Sequence, residues 1–389
     1  MSSDIMEAEM AKTAKIDVKD QDLLGALRSL FSAVLELEEI DAILVPVELP
    51  MKNRIMPTLV TDPEQMAAAD PLAPAYPLNT AKIVSRLTRK PAGGKIAVVM
   101  RPCEIRAFFE LVKLNQGHRE GLFIIGMDCL GAFANTDYFR FVGPDSQGST
   151  ADFVRNALSG TDTASAHGEL ATACRACEHP LPEGADITVG LYGMDTSRQF
   201  LLQAETPEGE TLLKDIDASP AQAPPERALA IDALVAQRTA FRDDMFQQTR
   251  AATDSLEKLT TYLADCVNCY NCRVACPVCY CRECVFVTDV FDHDPPQYLR
   301  WAQRKGAVKM PTDTIFFHLT RLAHMSTACV GCGQCSNACP NDIPVMELFR
   351  SVAHITQAGF DYRAGRSLEE KPPLSEFKVE EFEEVVGMH

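Results

Sequence analysis

The chain has 389 residues, of which 46% are hydrophobic, and a formal net charge of −17. That length suits two or three domains, and the apolar fraction excludes a disordered scaffold. The charge argues against nucleic acid or an anionic membrane as partner, because both reward positive surface.

Residues 1–20 read as a polar lead-in with acidic residues and no apolar h-region, so no secretory signal is visible. No apolar run approaches the length of a membrane span. A soluble, cytoplasmic protein without direct membrane insertion is expected, docked on another subunit if it serves a membrane process. Residues 22–40 place Leu23, Leu24, Leu27, Leu30, Phe31, Val34 and Leu35 on a helical stripe. Residues 42–47 (AILVPV) read as a strand, and Asn79 can cap a helix through Arg86. The runs IAVVM (96–100) and LFIIG (122–126) are continuous and apolar, as in strands buried on both faces, with a helix at 104–114 between them. This alternation predicts a doubly wound or mixed α/β layer. Residues 187–192 and 200–204 add edge strands or a hairpin.

Residues 205–226, rich in Pro, Glu and Asp, read as a linker, and residues 227–263 as one long helix or two. Four parts are expected. An α/β domain spans 20–205, a linker with a long helix 206–261, a cysteine-rich module 262–349 and an acidic tail 350–389. The module carries an insert over 285–325 with a helix from about Thr312 to Met325. The tail is expected to wrap a neighbour or stay mobile.

Eleven of the fifteen cysteines lie in the module. Cys266, Cys269, Cys272 and Cys276 read CxxCxxCxxxCP, and Cys329, Cys332, Cys335 and Cys339 repeat the pattern with Pro277 and Pro340 following. In the bacterial two-cluster ferredoxins this run gives three ligands to one 4Fe–4S cluster and the fourth to the other. The fourth cysteine starts a helix that leads away, so Cys276 is expected on the second cluster and Cys339 on the first. Structural zinc fits poorly, because the triplet overfills a tetrahedral site, and disulfides need an oxidising compartment.

Cys103, Cys129, Cys174 and Cys177 lie outside the two runs. Cys103 follows one buried strand at a helix start and Cys129 follows the next. If the strands are parallel neighbours, both thiols emerge at one carboxyl edge, where α/β folds hold their ligands. Cys174 and Cys177 form a CxxC knuckle that could close over that edge. The four either share one cubane or one zinc, or pack as small hydrophobes.

The stretches RPCEIRAFFEL, GLFIIGMDCLG and ACRAC, with the following ADITVGLYG, resemble the beta subunit of the coenzyme F-420 (deazaflavin) reducing hydrogenases and related formate dehydrogenases. The resemblance covers roughly residues 20–205. It implies that Cys103, Cys129, Cys174 and Cys177 hold a third 4Fe–4S cluster beside an FAD, and that the partners are other redox subunits of a hydrogenase, formate dehydrogenase or heterodisulfide-reductase-like complex. Flavin contacts would come from Asn79, Thr80, Arg101 and the Gly190/Gly193 turn. No GxGxxG occurs. Relatives carry a Ser/Gly-Gly element near the N-terminus, where this chain has only Gly25.

The expectation is a flavin-linked electron-transfer subunit with three 4Fe–4S clusters. The alternative is a cluster-only adaptor whose flavin site is lost. Cys279, Cys281 and Cys284 remain: packing thiols, a site completed by His293, His318 or His324, or the centre of a thiol–disulfide reductase. His318 and His324 are expected to donate hydrogen bonds near a cluster and so tune its potential.

Overall fold

The computed structural model describes residues 12–51, 54–143, 146–160, 169–216 and 218–375. Seven strands form one mixed sheet in the order β1-β7-β6-β5-β4-β2-β3. They are β1 (Thr13–Asp17), β2 (Ile40–Glu48), β3 (Ile55–Val60), β4 (Lys95–Met100), β5 (Leu122–Met127), β6 (Ile187–Gly190) and β7 (Gln199–Ala204). The centre, β2-β4-β5-β6, is parallel; β3, β7 and β1 close the edges antiparallel. The two continuous apolar runs form β4 and β5, paired with Met100 opposite Gly126.

Alternation along β4 explains why every residue of the run is apolar. Ala97 and Val99 face a core built with α1 (Leu23–Leu35), while Ile96, Val98 and Met100 face a second core on the opposite side. The second core contains α2 (Ala81–Leu87) and α3 (Pro102–Lys113). The first is completed by α4 (Asn135–Phe141) and α5 (Ser146–Leu158). Helix α6 (Thr172–Arg175) carries the start of the cysteine knuckle.

Three expectations change. The lead-in contributes β1, paired with β7. The sequence reading had no strand at β3, whose Pro57 is tolerated because β3 lies at the sheet edge. The linker contains α7 (Pro207–Asp215), with Thr206 accepting from the Gly209 amide and Pro207 in the first turn.

Helices α8 (Pro225–Thr253) and α9 (Leu256–Tyr262) divide the long helical stretch. The C-terminal part follows with α10 (Asn271–Ala275), α11 (Pro295–Lys305), α12 (Thr314–Met325), α13 (Gln334–Asn337) and α14 (Val345–Gly359). It is packed onto the sheet layer: Leu263, Val278, Leu322, Val345, Leu348 and Phe349 belong to the same core as β4 and α3. The first part of the tail folds back on its own chain. Tyr362 donates to Glu110 at 2.6 Å, Arg106 donates to the Ala364 carbonyl at 3.0 Å, and Gly365 approaches the Arg106 backbone closely enough that a Cβ would clash. Residues 376–389 lie outside the described residues.

Candidate iron–sulfur centres

Parallel pairing of β4 and β5 brings both strand ends to the same sheet edge. There β4 leads through Arg101 to Cys103, at the start of α3, and β5 leads through Asp128 to Cys129. Cys174 and Cys177 arrive on and just after α6. All four thiols line one cavity, together with Arg101, Arg238 of α8 and Cys332. Burial pushes the Cys174 thiol up to about 12, and it raises Cys103 and Cys129 as well. Such thiols hold their protons until a metal displaces them.

The ferredoxin runs interleave. Cys339 acts electrostatically on Cys266 and Cys272, which also feel Cys269, whereas Cys276 acts on Cys329, Cys332 and Cys335. Each fourth cysteine therefore lies with the other run's triplet. Among the described residues no three His, Cys, Asp or Glu side chains converge closely enough for a single metal ion. All fifteen cysteines are free of disulfides.

The donor set fits iron–sulfur clusters on a second ground, the placement of buried cations. Arg321 is 4% exposed. Its Nη1 donates to Cys272 Sγ at 3.1 Å and its Nη2 to the Cys272 carbonyl at 3.3 Å. Its Nε has no partner among the described residues. Burial opposes its charge, while Cys272, Cys276 and Cys335 support it. A buried cation ringed by thiols rather than carboxylates calls for an anionic group among those sulfurs. Arg238 lies beside Tyr192 and, like Arg321, beside thiols, here Cys129, Cys177 and Cys174.

His318 Nε2 lies 3.3 Å from Cys266 Sγ, and burial lowers its pKa to about 4, so the neutral ring meets the sulfur. His324 is exposed on another face of α12. His293 stacks edge-on with Tyr298 and Trp301. Cys279 packs into the shared core, Cys284 packs beside Phe286, and Cys281 is exposed.

Tyr76, which the sequence reading did not single out, joins two of the thiol sets. Its hydroxyl lies 3.3 Å from Cys103 Sγ and accepts from Asn79 at 2.8 Å. Its carbonyl accepts from Gln334 at 2.9 Å and Asn337 at 3.0 Å, both on the helix that carries Cys335.

The five residues considered for FAD do not assemble into a cradle. Thr80 and Arg101 line a pocket with Tyr76 and Cys129 at the carboxyl edge of the sheet. The Thr80 amide and hydroxyl both donate to Glu104, and Asn79 is engaged with Tyr76 and the Ala81 amide. Gly190 and Gly193 lie elsewhere, where Arg227 fills the space their missing side chains leave. Arg227 is in turn ion-paired with buried Asp128 at 2.5 Å. Of the five, Thr80 and Arg101 line the pocket beside Cys129, and Asn79, Gly190 and Gly193 do not.

Comparison with known proteins agrees with this geometry. Residues 93–222 match the family described as the C terminus of the coenzyme F420 hydrogenase/dehydrogenase beta subunit, and residues 262–343 match the 4Fe–4S dicluster domain. The chain carries a hydrogenase/dehydrogenase beta-subunit domain joined to a 4Fe–4S dicluster domain. The beta-subunit match contains all four thiols of the sheet-edge cavity, and the dicluster match contains both ferredoxin runs. The F420-dependent formate dehydrogenase subunit beta of Methanocaldococcus jannaschii is 26% identical over 347 residues, covering 84% of this chain and 87% of the relative. Subunit beta of the F420-dependent formate dehydrogenase 1 of Methanococcus maripaludis is 26% identical over 375 residues, covering 90% and 92%. A chain of the F420-reducing NiFe hydrogenase complex from Methanosarcina barkeri aligns with a TM-score of 0.44 at 15% identity, over 63% of this chain and 94% of that one. No helix among the described residues is long and apolar enough to cross a membrane.

Proposed function

We propose that this chain relays electrons through three 4Fe–4S clusters between other redox subunits of a formate dehydrogenase, hydrogenase or similar complex. The nesting of three thiol sets carries the reading. The cavity of Cys103, Cys129, Cys174 and Cys177 includes Cys332 on its wall. Cys332 belongs with Cys276, Cys329 and Cys335. Arg321 then spans from that set to Cys272 of the third. Clusters bound there take and release one electron at a time.

The chain's own residues supply position and field. Arg101 and Arg238 place positive charge at the sheet-edge sulfurs, and Arg321 and His318 turn a cation and a neutral ring toward the outer ones. Such groups favour the more negative, reduced state. The buried path from Cys103 through Tyr76 to α13 keeps two thiol sets in fixed register.

For the two-electron end, the occupied Gly190/Gly193 turn and the engagement of Asn79 and Thr80 within the protein favour the relay without a resident flavin. The visible spectrum after anaerobic iron chelation tests this. Loss of the broad absorbance with no sharp bands or fluorescence left behind is expected. Stoichiometric released FAD would restore the flavin-linked reading.

A further inference from the structure

Helix α11 buries none of its residues, and Leu299 on it is 62% exposed. Between 295 and 310 the chain carries Arg300, Arg304, Lys305 and Lys309, all exposed, and no Asp or Glu. On a protein of net charge −17 that is a strong local inversion. Among the described residues none of the four is ion-paired. Asp289, Asp292 and Asp294 precede the helix, where carboxylates suit its N-terminal dipole, and the basic residues run to its other end.

This segment walls a groove whose apolar floor includes Leu263, Phe291, Trp301 and Phe316, with Lys305 and Lys309 at its rim. Phe316 is 64% exposed. The groove is tied directly to the outer thiol set. Lys309 Nζ donates to the Cys266 carbonyl at 2.9 Å. Asn268, next to exposed Cys269, donates to Asp313 and accepts from Thr314, both of which line the groove.

We propose that this face docks a small acidic iron–sulfur carrier protein, which exchanges one electron per encounter with the outer centre at Cys269. The carrier's cluster is oxidised as this chain's is reduced, or the reverse, and no proton or third reactant is needed. Charge complementarity selects the occupant. The rest of the surface repels an acidic protein, so the basic segment both attracts it and orients it. The exposed apolar residues supply contact area once it is seated. This deepens the relay reading and rests on it.

The test uses the anaerobically purified protein with any subunits that accompany it, and a reduced small acidic two-cluster ferredoxin as probe. The stopped-flow rate of electron transfer is read at low and high ionic strength for the native protein and for Arg304→Glu/Lys305→Glu. A rate about tenfold or more lower in the variant at low salt, and a native rate that falls steeply with salt, are expected. Iron content, EPR signals and reduction by a viologen radical should be unchanged in the variant. Equal rates in variant and native protein overturn the docking site, whether the groove is covered by a permanent subunit, by a second copy or by nothing. A native protein that lacks iron or is not reduced by viologen overturns the relay reading itself, and the docking site with it.

Discussion

Arg321 is the residue whose placement says most about the outer centre. It is three positions after His318 on α12, hence on the same helix face, and the two side chains meet Cys272 and Cys266. His324, six positions from His318, points elsewhere. The sequence drew attention to the histidines because they lie in the insert before Cys329. It did not draw attention to Arg321, because one arginine among many carries no signal until its burial is known. Phe317 and Phe349 flank the guanidinium at 5.4 and 4.7 Å, so its position is held by rings as well as by the sulfur. Arg321→Gln is expected to lower the reduction potential of the Cys266 set by about 60 mV, the one-electron equivalent of a tenfold shift in equilibrium. Arg321→Lys should retain part of it. An EPR-monitored redox titration reads this directly, and unchanged potentials would remove the tuning role.

Among the elements, the strands buried on both faces were the most legible, since a continuous apolar run of five or six residues has few other uses. Helices α1 and α3 followed from periodicity. The misread elements share a cause. Proline at 207 punctuates a linker and starts a helix equally well, and short strands such as β1 (TAKID) are polar because they lie at an edge. Tyr76 and its neighbours form no periodic element, so nothing local announced them.

Helix α8 shows how an element built far from the chemistry reaches it. Asp128, fully buried, accepts from the amides of Leu191 and Tyr192 and holds Arg227 bidentately. That anchor fixes the start of the helix that later delivers Arg238 to the sheet-edge cavity. Asp128→Ala leaves a buried guanidinium without its counter-ion and is expected to destabilise the protein by about 3–5 kcal/mol. Thermal unfolding under anaerobic conditions measures the loss, and the sheet-edge cluster should be the first lost on warming. A melting point within a degree or two of the native protein's would show that α8 is held by other contacts.

At the scale of the whole molecule, the ferredoxin part packs on the sheet's second face and shares its core, although its motifs read as a detachable module in sequence. Sequence spacing shows which cysteines share a run, but not that Cys332 faces Cys103 across a packed interface. That adjacency lines three thiol sets into one path, from the sheet edge to exposed Cys269. Replacing Cys103 should therefore break the path at its inner end only, since the other two thiol sets keep all their cysteines.

Iron and sulfide analysis of anaerobically purified native protein and Cys103→Ser reads the number of centres directly. About twelve irons per chain in the native protein and about eight in the variant are expected, four for each set of four cysteines. About eight irons in both proteins would contradict the sheet-edge centre, and zinc in place of iron would contradict the electron relay altogether.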